Sequence, residues 1–230
     1  MVQQRAKERG GNGRLLERKR EILRAASTIF RNKGFHEAGM RQIAADLGMT
    51  VGNLYYYFRS KQDLLAFCQE DSLNRLLRIA DCVSHLDVSP AQRLWLFVYG
   101  HVCSLNESIP GSLAHLDIDS LEAADRERIM TLRDRYEEEL DRILTDGMRQ
   151  GLLRSSDARV AALTILGAMN WTVTWYQPDG RLPLRAIAEQ FATQLTRGIL
   201  ADGVTLEVPH REVAVIPVEP SSPTEAASRK

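Results

Sequence analysis

No stretch of this sequence is apolar for long enough to cross a membrane. The longest nearly apolar run, 160–175, falls short of the roughly 20 residues a span needs and is broken by Thr164, Asn170 and Thr172. Cysteine is scarce: Cys68, Cys82 and Cys103 are odd in number and follow no CxxC spacing. That excludes a disulfide framework and a zinc ribbon and fits a reducing cytosol. Also missing are a phosphate-binding glycine loop, an HExxH pair and any nucleophile–base pattern, so the chain reads as a non-enzyme with neither cofactor nor metal. His101, Cys103 and His115 come nearest to a metal set and match no common ligand spacing. Net charge is lacking too, 30 Lys+Arg balancing 30 Asp+Glu. The N-terminus carries Arg5, Lys7, Glu8 and Arg9 with no apolar segment behind them, which is not the pattern of a signal peptide. A cytoplasmic globular protein is expected, with no membrane partner.

What is present is a lopsided distribution of charge. Residues 1–67 hold 13 Lys/Arg against 6 Asp/Glu, and the remainder 17 against 24. A basic end on a neutral protein points to a local polyanion, nucleic acid before membrane. A solvated basic leader, supplying Arg5, Lys7, Arg9 and Arg14, is the plainer account of part of it.

Apolar periodicity makes almost every segment a helix, so the fold class is all-α. Ile22, Ala25, Ala26, Ile29 and Phe30 form one stripe of a helix from 18 to 33, which Gly34 ends. Met40, Ile43, Ala44 and Leu47 mark a short second helix, ended by Gly48. Thr50 caps a third that carries Leu54 to Phe58, and Ser60-Lys61-Gln62-Asp63 opens a long fourth that runs to about Val83. Further helices are expected from Ser89-Pro90 to Asn106, from about Leu121 to Gly147 or Gly151, over 157–176 and over 183–200, the last with Leu184, Ile187, Phe191, Leu195 and Ile199 on one face. The Gln177-Pro178-Asp179-Gly180 turn separates the last two. Beyond Gly203, four prolines with Ser, Thr and Ala predict a disordered tail, with only a weak strand-like run at 204–208.

The informative stretch lies between Ile43 and Lys61: a helix, a three-residue turn with glycine, a short second helix, then a capped third. That is the helix-turn-helix arrangement, whose second helix lies in the major groove. Gly52 lets backbone approach a phosphate, tyrosine offers a hydroxyl to phosphate and a ring to sugar or thymine methyl, and Lys61 offers an ammonium near a helix N-terminus. Successive helical residues point about 100° apart, so Tyr55, Tyr56 and Tyr57 cannot all face DNA, and one or two are expected in the core.

Over residues 18–65 the sequence resembles the DNA-binding domain of the tetracycline-repressor (TetR) family. The features that carry the resemblance are Ile22-Leu23-Arg24-Ala25-Ala26, Phe30, Gly34-Phe35, Arg41-Gln42-Ile43-Ala44, Gly48, Gly52-Asn53-Leu54-Tyr55-Tyr56-Tyr57-Phe58 and Ser60-Lys61. It implies phosphate contacts from Gly52, Tyr55, Tyr56 and Lys61, and base reading by Arg41, Val51, Asn53 and Tyr57, with Thr50 at the start of the reading helix. Where the family has a Ser/Thr pair before its second helix, this chain has Ala38 and Gly39, which puts one phosphate contact in doubt. The resemblance further implies a DNA-binding head (18–65) and a ligand-binding and dimerisation domain (66–202), set between the disordered basic leader (1–17) and the tail (203–230) that composition suggests. The protein would be a homodimeric repressor of a pseudo-palindromic operator, paired through helices 157–176 and 183–200 and released by a small hydrophobic effector. The apolar residues around 157–176 exceed what one core face buries, which accords with such an interface; deep burial within one chain is the alternative.

The segment Asn170 to Gly180 resembles a subset of the family that responds to fatty acyl-CoA or related CoA thioesters, although Gly167 and Thr174 stand where some of those relatives carry arginines. An effector pocket is expected to draw on Trp95, Tyr99, Leu116 and Met130, with Trp171 and Trp175; that these residues are simply the domain core is an equal reading. Two other classes stay open: a helical interaction module that has lost DNA binding, and an enzyme with a helix-turn-helix head.

Overall fold

The computed structural model describes residues 2–107 and 118–218. Among them are helices α1 (Val2–Lys33), α2 (Met40–Asp46), α3 (Val51–Tyr57), α4 (Lys61–Ser84), α5 (Pro90–Asn106), α6 (Ala123–Arg149), α7 (Ala158–Asn170), α8 (Thr172–Trp175) and α9 (Leu184–Ile199), with 3-10 turns at Ile118–Ser120 and Glu212–Val215. The expected caps form. Thr50 Oγ1 accepts from Asn53 N at 3.2 Å and Ser60 Oγ from Asp63 N at 3.0 Å. Ser89 and Gln92 close a reciprocal capping box on α5. No strand occurs among the described residues, where pairing is confined to an isolated bridge between Leu153 and Leu200.

Two apolar cores meet along α4. The first gathers Ile22, Phe30, Ile43, Leu54, Phe58 and Leu64 of the head, and it extends to Leu73 of α4, to Leu121 just before α6 and to Ile129 within it. The second is built on α5, buried from Leu94 to Asn106, and takes Leu76, Ile79 and Val83 from the far half of α4. Helix α4 is thus a beam shared by both cores, and a boundary drawn at 65/66 cuts through the head's own core.

Two expectations are corrected. The leader expected to be disordered is drawn into α1, which begins at Val2 rather than at Arg18; an established helix propagates into adjoining residues without needing an apolar face of its own. The single helix expected over 157–176 breaks at Trp171. There the Thr172 hydroxyl donates to Met169 O at 2.7 Å and accepts from Asn106 Nδ2 at 2.8 Å, replacing regular ladder bonding with side-chain bonds. On α9 the inward seam is Leu184, Ala188, Ala192 and Thr196, whose small side chains let it lie close on α5. The larger Ile187, Phe191, Leu195 and Ile199 are left half-exposed.

The tail differs as well. Residues 203–218 dock on the second core, burying Leu206 and Ile216; residues 219–230 lie outside the described residues. Gln92 Nε2 donates to Glu207 O at 3.2 Å, and the half-buried Cys82 thiol to Val215 O at 3.4 Å. Ile216 seats over Gly100, where a Cβ would stand 2.6 Å from Ile79 and 3.1 Å from Ile216. The prolines suggested disorder, but an extended segment with spaced apolar residues also buries well against a helical surface. Ending the chain after Gly203 is expected to lower Tm by roughly 5–10 °C, taking about 2–3 kcal/mol net for the lost burial at roughly 2–4 °C per kcal/mol in a chain of this size. It should also speed alkylation of Cys82. Burial pushes the Cys68 and Cys103 thiols up to about 12, so both should stay unreactive in the folded protein. Differential scanning fluorimetry and thiol titration would check both statements; an unchanged Tm would mean that the docked tail adds nothing.

Candidate nucleic-acid interface

The turn between α2 and α3 follows from local chemistry. Gly48 takes φ +61°, a conformation that glycine adopts without strain. Gly48 N donates to Ala45 O at 3.0 Å and Met49 N to Ala44 O at 2.9 Å, closing the end of α2. Thr50 then starts α3 in a new direction. Leu54 is fully buried beneath α3, and Val51 and Tyr57 lean half-buried on the head core.

The rest of α3 faces outward. Gly52 and Asn53 are exposed, Tyr55 is 48% and Tyr56 78% exposed. Tyr56 meets Tyr57 edge-on with ring centroids 5.2 Å apart. Nothing lies within 4 Å of where a Cβ on Gly52 would stand, so the backbone there is open to an incoming group. Arg41 is exposed on the first turn of α2, and Thr50 is exposed with its hydroxyl engaged in the cap. Arg41, Thr50, Val51, Gly52, Asn53, Tyr55, Tyr56 and Tyr57 are therefore gathered on one two-helix unit. Of the three tyrosines, Tyr57 is the one that shares the core.

Lys61 departs from expectation. Its ammonium is turned inward, donating to Phe35 O at 2.7 Å, Ala38 O at 3.0 Å and His36 O at 3.2 Å, and it sits 4.3 Å from the Phe35 ring centroid. A lysine has three N–H donors, and all three are engaged. Two other cations border the motif: Arg59, whose side chain is almost wholly exposed, and Lys33, whose Nζ donates to Gln42 Oε1 at 3.2 Å. Arg59 follows Tyr57-Phe58 directly, and that adjacency is the sequence signal that could have drawn attention to it.

The residues expected to line an effector pocket are not brought together. Trp95 and Tyr99 stack in the second core with centroids 5.3 Å apart. The Trp95 indole donates to Thr193 Oγ1 at 3.0 Å, and Arg185 donates to the Tyr99 hydroxyl at 3.2 Å. Met130 is exposed on α6, near the head. Trp171 is 65% exposed on the outer side of the α7–α8 break, and Trp175 borders a cleft of about 370 Å³ at the α8–α9 corner with Tyr176, Arg181 and Phe191. Leu116 and His115 lie outside the described residues. The physical reason for the scatter is that Trp95 and Tyr99 turn toward α9, whereas α7 and α8 turn Trp171 and Trp175 away from the core.

A different cavity, of about 220 Å³, lies between α4, α6 and α7. Leu73, Arg133, Tyr136, Leu166, Gly167 and Asn170 line it. Two of these belong to a buried polar relay: the His101 ring nitrogens lie 2.8 Å from Tyr136 Oη and 3.0 Å from Asn170 Oδ1. The Asn170 oxygen can only accept, so His101 donates to it from Nε2. Burial pushes the Tyr136 phenol well above its ordinary pKa, keeping it a donor.

Among the described residues the outer face of α7 is open to solvent, with Leu163 and Gly167 at its border with the cavity. Val160, Leu163 and Trp171 lie along it with Gly167, and half-exposed Phe191 of α9, stacked on Trp175 at 6.0 Å, continues the apolar surface.

Comparison with known proteins bears on both halves. Residues 22–67 match the profile of "Bacterial regulatory proteins, tetR family", and residues 87–199 that of "Tetracyclin repressor-like, C-terminal domain". The fatty acid metabolism regulator protein of Bacillus subtilis is 25% identical over 182 residues, 78% of this chain and 94% of its own length. The crystal structure of the TetR-family regulator PfmR from Thermus thermophilus is 29% identical with a TM-score of 0.70, covering 76% of this chain and 97% of its own. That of AibR in complex with isovaleryl coenzyme A and operator DNA is 25% identical with a TM-score of 0.69, covering 79% and 97%.

Proposed function

The chain belongs to the TetR family of bacterial transcriptional regulators, whose members are not enzymes, and on that premise we propose that it represses transcription by binding a pseudo-palindromic operator as a homodimer. Two outward-facing α3 helices would enter successive major grooves, roughly 34–36 Å apart or a multiple of that. Gly52, Tyr55, Tyr56 and Arg59 would meet the phosphates, while Arg41, Val51, Asn53 and Tyr57 would read base edges from their positions on α2 and α3. The apolar surface of α7 and α9 supports pairing with a second copy. A repressor of this kind would act in the cytosol, where its operator lies; among the described residues no helix is long and apolar enough to cross a membrane.

The effector is a small hydrophobic molecule, with a fatty acyl-CoA first among the candidates. The fatty-acid regulator and the isovaleryl-CoA complex named above support that class. One observation supports the place where its acyl part enters: Leu73 both lines the cavity between α4, α6 and α7 and packs in the head core. At about 220 Å³ the cavity is smaller than most ligand pockets. An acyl chain larger than the cavity would push α4, α6 and α7 apart, and Leu73 would carry a displacement of α4 into the head. Trp171 and Trp175 belong in this reading to the subunit face, and Trp95 and Tyr99 to the core.

Fluorescence anisotropy on a fragment of the protein's own promoter tests both parts. Affinity should fall about 10³- to 10⁵-fold between 50 and 200 mM salt if 6–10 phosphates are engaged. A chain-length series of acyl-CoAs should then release the fragment. Emptying the operator from 99% to 1% competent dimer needs roughly 10⁴-fold preference of the ligand for the other state. Salt-independent binding would remove the operator part, and release by none of the acyl-CoAs would remove the thioester.

A further inference from the structure

The turn that leads into α2 has an unusual construction. Gly34, at φ +78°, ends α1, and Gly39 starts α2 five residues later. Gly39 has no side chain with which to cap the helix, and none does so; Gly39 O accepts from Gln42 N at 3.0 Å and Ile43 N at 3.2 Å. Ala38, buried beside it, offers no polar group either. Tight reversal brings the carbonyl oxygens of Phe35, His36 and Ala38 onto one point, and converging carbonyl dipoles repel one another unless a cation lies between them. The cation comes from 23 to 26 residues further along the chain: it is the Lys61 ammonium, at 2.7 to 3.2 Å from all three oxygens and above the Phe35 ring. Lys61 is itself held in place. It is the first residue of α4, behind the Ser60 cap, and Asp63 Oδ2 accepts from Arg59 N at 2.9 Å on the same turn.

We propose that Lys61 is a positioning residue for DNA recognition: its ammonium closes the α1–α2 turn and so fixes α2, and with it the reading helix α3, to the first turn of α4. Its charge is spent within the protein and not on a DNA phosphate. A shift of α4 is then delivered directly to the start of α2, at the end of α4 opposite the docked tail. This inference rests on the operator-binding reading given above.

The test uses full-length Lys61→Gln and Lys61→Arg. On free protein, amide hydrogen exchange at residues 36–40 should accelerate by about tenfold or more in both, since a net loss of one to two kcal/mol in a charge-assisted network is of that order. On operator DNA, Lys61→Gln should bind about tenfold or more weakly, with the slope of log K against log salt unchanged. Lys61→Arg should also lose affinity, because a planar guanidinium cannot aim three donors at three converging oxygens. Should Lys61→Gln fail to fold, the arginine variant decides alone, because arginine serves a phosphate at least as well as lysine does. A salt slope lowered by about 0.9 per phosphate no longer neutralised, or full affinity in Lys61→Arg, would make Lys61 a phosphate ligand and overturn the proposal. Unchanged exchange at 36–40 would overturn it too. If the unaltered protein bound no operator, the operator-binding reading would fail while the exchange measurement still judged the clamp.

Discussion

The double variant Leu163→Glu/Trp171→Glu is expected to be a folded monomer that binds operator DNA between about 10²- and 10⁴-fold more weakly than the parent. The range follows from geometry, since neither side chain lies on the DNA-binding head. A dimer that has seated one head holds the second at high effective concentration over the other half-site, and a monomer forfeits that second, intramolecular step. Both side chains are at least half exposed in the single chain, so two carboxylates there leave the protomer intact. Against a second α7 they must be desolvated, at a cost of several kcal/mol per ion. Sedimentation velocity and circular dichroism would separate the two effects. A variant that still sediments as a dimer would mean that the chain pairs through another surface.

The hydroxyls of α3 should matter nearly as much. Tyr55→Phe/Tyr56→Phe is expected to bind DNA roughly 30- to 10⁴-fold more weakly, because four hydrogen bonds to phosphate per dimer are removed at about 0.5–1.5 kcal/mol each. Both residues are already in solvent, so Tm should not move, and since no charge is removed, neither should the salt slope. This contrasts with Arg59→Ala, where a cation would be lost. An affinity equal to the parent's would mean that the outward tyrosines do not touch the duplex.

How much of this was legible beforehand depended on the range of the interaction involved. The helix-turn-helix is written in neighbours: a glycine that ends α2, a threonine that caps α3, and Leu54 and Phe58 spaced to face inward while Tyr56 cannot. Each of those signals acts within about four residues, so the sequence carries them openly. The inward turn of Lys61 joins positions about 25 residues apart, and no local pattern announces it; its place at a helix N-terminus and the resemblance both pointed the ammonium at DNA. The docking of Ile216 against Gly100 and Ile79 is longer-ranged still, and the prolines nearby argued for the opposite. The expected effector pocket scattered for the same reason. Aromatic residue type identifies what is worth burying, but Trp95 and Trp171 are turned to opposite sides by helix packing that only the assembled chain specifies.

The shared first core has a consequence for modularity. Leu121, just before α6, and Ile129 within it complete the packing of the head, so a fragment cut after residue 65 leaves the head's apolar core open. Transplanting such a fragment onto another regulator's body would require the recipient to supply two matching side chains from a segment more than fifty residues downstream. Swapped heads therefore inherit a compatibility problem located outside the swapped segment, and chimaeras built on this chain are constrained by α6 as much as by the linker.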